Sequence, residues 1–256
     1  MYKHCPKQFE FFYNSGDYYN YGESKGASPA LIRGTAFHKG CDKFFNGFDV
    51  NYCKDLNSKQ IGEYMSHHIQ ETNDDEINTW FSFFLEYEQR RFEQLREENK
   101  LQYYLPAAKE LEISMPDLID RTGHVDRIDQ ISEDELMIVE YKTGKSYDMD
   151  KPDRVTSMNA EIGFYVTILQ GINKFPKQKI IKWCVINPTL EKVWINSISK
   201  VTLTSVDKNY KSLVEKLVNK EPFEKNINDL CMYCPYFNQC LYNKEEGLNI
   251  KVEELK

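Results

Sequence analysis

An α/β fold is predicted by three features of the sequence. The first hundred residues are mainly helical, short strand-like runs begin abruptly after Pro106, and a second group of strands follows one intervening helix. Residues 1 to 28 are aromatic and polar, with Asn, Ser and Gly, and Ser28-Pro29 then reads as an N-cap followed by a first helical turn. Phe37, Cys41, Phe44 and Phe48 continue at helical spacing, and a second helix is expected around residues 59–70. A longer one, about 75–99, carries Ile77, Trp80, Phe81, Phe84, Leu85, Phe92 and Leu95 on one side and many Glu and Arg on the other. Glu110 to Met115, Thr122 to Ile131 and Glu135 to Lys142 then read as strands separated by turn formers. Pro152 opens a helix through Leu169, strands follow at Lys179 to Ile186 and Val193 to Ile198, and Val206 to Val218 is helical again. No internal repeat or low-complexity tract interrupts this order, and the charged tail after Asn243 is expected to fray.

With 256 residues and 41% apolar content, the chain can bury one large core but not a two-domain motor. It has no signal-type apolar run at its start and no stretch near the ~20 apolar residues that span a bilayer, which points to the cytoplasm and away from membranes. In that reducing compartment, seven cysteines read as metal ligands plus spare thiols. A net charge of -7 argues against blanket neutralisation of phosphates, yet it is compatible with an acidic centre that meets phosphate through bound cations. The 17 tyrosines suit stacking on unpaired bases, although core packing is the commoner use of such residues.

The segment Glu135-Leu-Met-Ile-Val-Glu140-Tyr141-Lys142-Thr-Gly144 has the apolar middle of a buried strand, and on a strand Glu140 and Lys142 share a face. One strand earlier, Gly123-His-Val-Asp126 supplies a second acid. Asp126, Glu140 and the Tyr141 carbonyl could grip one divalent cation, with Lys142 orienting or deprotonating a water. Taken alone, the Glu-x-Lys triplet reads more simply as an exposed cross-strand salt bridge, with Asp126 in a turn. Glu112 is either a further acid near the cation or a surface residue, and His4, His67, His68 and His124 have no comparable context, although His124 lies close in sequence to Asp126.

The preceding helix contains Gly34-Thr-Ala-Phe-His38-Lys-Gly40, and its order before the Asp126 strand and the Glu-x-Lys strand resembles the PD-(D/E)XK nuclease superfamily. The likeness is to the RecB-like branch with CRISPR-associated exonucleases that carry an iron–sulfur cluster, and it covers nearly the whole chain. It implies a restriction-endonuclease-like core with a mixed central sheet. His38, Asp126 and Glu140 would be ligands of Mn or Mg, and Lys142 the catalytic lysine. An imidazole ligand favours Mn more than an all-oxygen set does. The family's Gln-x-x-x-Tyr motif, associated with handling DNA, is matched by Tyr165, but Glu161 stands at the Gln position and can only accept hydrogen bonds when ionised.

Cys231-x2-Cys234-x5-Cys240 puts three thiols on one short segment, one ligand short of a tetrahedral or cubane site. The resemblance supplies Cys5 as the fourth ligand and a [4Fe-4S] cluster joining the N- and C-terminal segments; a zinc site completed by a His or Cys is the alternative. Only four residues precede Cys5, so the element leading into it is expected to be shorter than in relatives. Cys41, Cys53 and Cys184 read as buried or free thiols.

The expected organisation is one nuclease domain over 1–256: a helical region with the first cysteine at 1–105, a catalytic sheet at 106–200, and a helix with the cysteine cluster at 201–256. The expected activity is metal-dependent DNA hydrolysis, as an exonuclease in recombination, repair or CRISPR adaptation. The expected partners are single-stranded DNA or duplex ends and a helicase or recombination/CRISPR protein, since no Gly-x4-Gly-Lys-Ser/Thr loop is present. The alternative from another class is a non-catalytic iron–sulfur DNA-binding or assembly subunit. Against it stands the intact set His38, Asp126, Glu140 and Lys142.

Overall fold

The computed structural model describes residues 5–15, 28–117, 120–219, 221–227, 231, 234, 236, 237 and 240. The chain divides into two compact units, Ser28–Val214 and a smaller one that unites Met1–Ala27 with Glu215–Lys256. The tail after Asn243 lies outside the described residues.

In the smaller unit, helix α1 (Pro6–Ser15) occupies a stretch whose sequence shows aromatic and polar residues without a clear period. Its Lys7 N–H donates to the Glu224 carbonyl at 3.1 Å, and Phe11 stacks on Tyr236 with ring centroids 5.5 Å apart. Helix α1 thus packs against residues 224 and 236 within this unit.

The larger unit begins with helices α2 (Pro29–Phe44), α3 (Val50–Cys53), α4 (Ser58–Ser66) and α5 (Asp75–Glu97). Ser28 Oγ accepts from the Leu31 N–H and Pro29 sits in the first turn, as the sequence predicts. A capping box between Asn57 and Gln60 starts α4, which ends at Ser66, short of the predicted residue 70. Five strands follow: β1 (Ala108–Met115), β2 (Arg121–Gln130) and β3 (Glu135–Tyr141), then helix α6 (Pro152–Gly171), then β4 (Lys179–Asn187) and β5 (Lys192–Ser197). Helix α7 (Lys200–Val218) begins six residues before the predicted Val206.

The strands lie in the order β1-β2-β3-β4-β5, and all neighbours are antiparallel except β3 and β4. The parallel pair needs a long crossover, which α6 provides. Strand β3 is apolar on both faces because both are covered. Met137, Val139 and Tyr141 pack into the core with Phe37, Phe44, Phe81 and Phe84, whereas Leu136 and Ile138 join Ile162 and Val166 of α6. Cys41, Cys53 and Cys184 are buried free thiols, as expected. Among the described residues no helix is long and apolar enough to cross a membrane.

The helical side of the sheet holds a group of charges that the periodicity did not reveal. Arg127, only 1% exposed, donates to Glu88 Oε1 at 2.7 Å, to Asp129 Oδ2 at 2.8 Å and to the Tyr141 hydroxyl at 3.0 Å. Arg91 pairs with Glu88 at 2.8 Å and with Asp129 at 3.2 Å. One buried and one partly buried cation thus offset two buried anions, which is what makes their desolvation tolerable. Arg127→Ala leaves Glu88 and Asp129 short of a partner and is expected to lower unfolding free energy by about 3–5 kcal/mol. Urea titration of wild type and variant checks this, and a loss below about 1 kcal/mol would contradict it.

Candidate active site

The site forms where β2 and β3 part company. Their ladder runs from Gln130–Leu136 to Arg127–Val139 and stops there. The Tyr141 N–H, no longer served by β2, donates to Asp126 Oδ2 at 2.8 Å. On the other side of β2, pairing with β1 is in register from Ala108 to Met115 except opposite Asp126, where Glu110 adopts a left-handed φ of +42°. A non-glycine residue in that region is strained and needs its surroundings to hold it.

Helix α2 brings His38 to this point. Phe37 meets the Tyr141 ring edge-on at 5.9 Å, and the His38 ring follows at 5.6 Å. A side chain at position 34 would meet Thr143 Oγ1 at 3.2 Å, so Gly34 permits the close approach of the helix to the end of β3. His38 Nδ1 then lies 3.2 Å from Asp126 Oδ1. Residues 88 positions apart are thereby joined at one carboxylate.

Glu140 and Lys142 share a face, as the strand period requires, and Lys142 Nζ is 3.0 Å from Glu140 Oε2. The same ammonium is 3.0 Å from Glu161 Oε1 on α6, and the Tyr165 hydroxyl donates to that oxygen at 3.4 Å. Glu161 is therefore an anchor for Lys142. Tyr165 packs where Gly123 leaves room, since a side chain there would meet its ring at 2.8 Å.

Two residues at the site were not singled out from the sequence. His124 Nε2 is 3.2 Å from Glu110 Oε2, and its Nδ1 is 3.9 Å from Asp126 Oδ1. The available signal was period two: His124 shares a strand face with Asp126. Glu112, the acid named on that strand, is exposed and pairs in register with His124. Glu110 instead reaches the site, from a backbone conformation that no sequence pattern announces.

The electrostatics are those of a place short of positive charge. Burial, then repulsion from Asp126, pushes the Glu140 carboxyl up to about 8, although Lys142 opposes the shift. Burial and Asp126 likewise hold Glu110 above its ordinary value. Burial alone would raise Asp126 too, but the His38 hydrogen bond and charge, the Tyr141 N–H and Lys142 bring it below the ordinary value. Burial disfavours charge on His38, yet Asp126, Glu140 and Glu110 more than offset it. Oε1 of Glu140 and Oε1 of Glu110 are buried without a hydrogen-bond partner. Ligand atoms of His38, Glu110 and Asp126 all lie within 4.8 Å of one another. Two orphaned carboxylate oxygens beside a mixed N/O set fit a divalent cation.

The four cysteines with the predicted ligand spacing all belong to the smaller unit. The Cys234 N–H donates to Cys231 O at 2.9 Å and the Cys240 N–H to Tyr236 O at 2.8 Å. Burial pushes the Cys234 and Cys240 thiols up, and Cys5 and Cys231 are near enough to both to add to the shift. The thiols are near enough to interact, but among the described residues the group whose ligand atoms all fall within 4.8 Å of one another is His38, Glu110 and Asp126.

A sequence profile described as the PD-(D/E)XK nuclease superfamily matches residues 1–241. A presumed exonuclease from Eubacterium rectale is 10% identical over 83% of this chain and 92% of that one, at a TM-score of 0.35. The solved protein SSO0001 is 16% identical over 75% of this chain and 95% of that one, at a TM-score of 0.31. No curated protein matches the sequence.

Glu140 yields a prediction for the metal-free protein. Its carboxyl titrates at about 8 when folded against an ordinary 4.5, so the folded state holds the proton more tightly. The stability this gives is present below about pH 4.5 and is lost as pH rises toward about 8. In chelator at pH 8.5, Glu140→Gln should therefore melt roughly 5 °C higher than wild type, with the gap closing toward pH 4.5. Calorimetry across that range checks it, and identical pH slopes would contradict it.

Proposed function

This chain belongs to the PD-(D/E)XK nuclease superfamily, and we propose that it is a divalent-cation-dependent nuclease whose substrate is DNA. The observation that carries this reading is the meeting of His38, Asp126, Glu140 and Lys142, from α2, β2 and β3, around carboxylate oxygens that lack partners.

His38, Asp126, Glu140 and the Tyr141 carbonyl would hold the ion, Mn or Mg. When bound, the ion lowers the pKa of water and offsets charge on the phosphate. Lys142 provides the other half of the chemistry. Its ammonium has three donors and is fixed between Glu140 and Glu161, so it can orient a water for in-line attack and face the charge that grows on the phosphate oxygens. Tyr165, braced by Glu161 and Gly123, stands beside it as a contact for the nucleic acid. The Glu161 carboxylate does not suit phosphate; its task is to position Lys142 and Tyr165.

The resemblance to RecB-like and CRISPR-associated exonucleases supports action from DNA ends, a place in recombination, repair or CRISPR adaptation, and a helicase or adaptation protein as partner. It also supports a [4Fe-4S] cluster on Cys5, Cys231, Cys234 and Cys240, with a structural role in the unit that unites the chain ends. A cytoplasmic setting keeps the remaining thiols reduced.

Incubation of end-labelled linear DNA and closed single-stranded circles with Mn or Mg tests the reading: linear DNA should be degraded and circles spared. Lys142→Ala should lower the cleavage rate by about 10²–10⁴-fold while DNA affinity in calcium stays within about threefold. Unchanged cleavage would remove Lys142 from the mechanism. Cys231→Ala should lose iron and melt lower than wild type when both are purified without oxygen. A wild type with zinc in place of iron would overturn the cluster.

A further inference from the structure

We propose that Glu110 is a direct ligand of the cation and that His124 is its positioning residue, so that the metal site extends onto β1 beyond the residues of the nuclease motifs. The inference rests on the reading of Asp126 as a metal ligand.

The first ground is distance. Donor atoms of His38, Glu110 and Asp126 fall within 4.8 Å of one another. Oxygen ligands about 2.1–2.4 Å from an ion stand about 3 Å apart when adjacent and 4–5 Å apart when opposite. The 3.2 Å between His38 Nδ1 and Asp126 Oδ1 suits adjacent ligands. The second ground is Glu110 itself. Its Oε1 is buried with no hydrogen-bond partner, while Oε2 lies 3.2 Å from His124 Nε2. One oxygen is held and the other is left facing a place where only a cation or a donor would satisfy it. The third is the backbone. Glu110 has a φ of +42° opposite Asp126, at the one point where the β1–β2 pairing lapses. Strain of this kind persists where the surroundings enforce it, and it sits at the same point as the carboxylate. The fourth is Glu140, whose buried Oε1 also lacks a partner.

His124 orients Glu110 as imidazoles and carboxylates beside metal ligands commonly do, by fixing one oxygen so that the other is free to bind. The resulting shell offers an imidazole nitrogen and oxygens from Glu110, Asp126 and Glu140. It favours Mn over Mg more strongly than an all-oxygen set.

The test measures Mn binding to DNA-free, metal-stripped protein by calorimetry and by Mn electron paramagnetic resonance, without reference to cleavage. Glu110→Gln should weaken Mn binding at least about 10-fold while its melting curve in chelator shows a folded protein. Glu110→Asp keeps the charge but withdraws the carboxylate, and should weaken binding as well. His124→Leu should weaken it less, and His124→Gln, which retains a donor toward Glu110, should restore most of the loss. Asp126→Asn separates the two readings. If Asp126→Asn binds Mn as wild type does, the cation site itself is misplaced. If Asp126→Asn abolishes binding but both Glu110 variants bind as wild type, only the role of Glu110 and His124 falls.

Discussion

Beyond the Arg127–Val139 pair the β2–β3 ladder opens, and the Tyr141 N–H that loses its strand partner is taken up by Asp126 Oδ2 at 2.8 Å. The rest of the site depends on this junction. One carboxylate oxygen replaces a lost backbone bond, and the other is left toward His38. Tyr141 is fixed on both sides, its N–H by Asp126 and its hydroxyl by Arg127. Its ring meets Phe37 and Phe84, so the helix carrying His38 packs on the residue whose amide holds Asp126.

The two faces of the sheet treat charge in opposite ways. On the helical side, Arg91 and Arg127 offset Glu88 and Asp129, and the group is nearly neutral. At the open end of β2 and β3, Asp126, Glu140, Glu110 and Glu161 outnumber Lys142 and the partly exposed His38 and His124. A protein selected only for stability would neutralise such a site from within. Here burial, and then the imbalance, raises Glu140, an arrangement that a divalent cation relieves. The neutral network behind Tyr141 keeps the strand ends in place while the site bears that charge.

Much of this was legible in the sequence. The order of helices and strands, the shared face of Glu140 and Lys142, and the buried thiols Cys41, Cys53 and Cys184 follow from periodicity and burial. Helix α1 was not legible, because its residues show no clean apolar stripe. Glu88 falls among the Glu and Arg on the polar side of its helix and no pattern marks Arg127; only the three-dimensional meeting of α5 with β2 shows them to be buried. The sequence points to Glu112 while Glu110 is the acid that reaches the site, because strand alternation puts both on one face and cannot foresee a left-handed residue opposite Asp126. No sequence pattern gives His124 a partner, because that partner, Glu110, is 14 residues away across a hairpin.

The central claim is that Asp126 joins His38 and the end of β3 around a divalent cation. An anomalous difference map from crystals of the full chain grown with Mn tests it most directly. The account predicts a peak about 2.0–2.4 Å from an Asp126 oxygen and a His38 nitrogen, with Lys142 beside it and not bound to it. Mn found only at other acidic residues, with His38 still hydrogen-bonded to Asp126 and no ion between them, would contradict it.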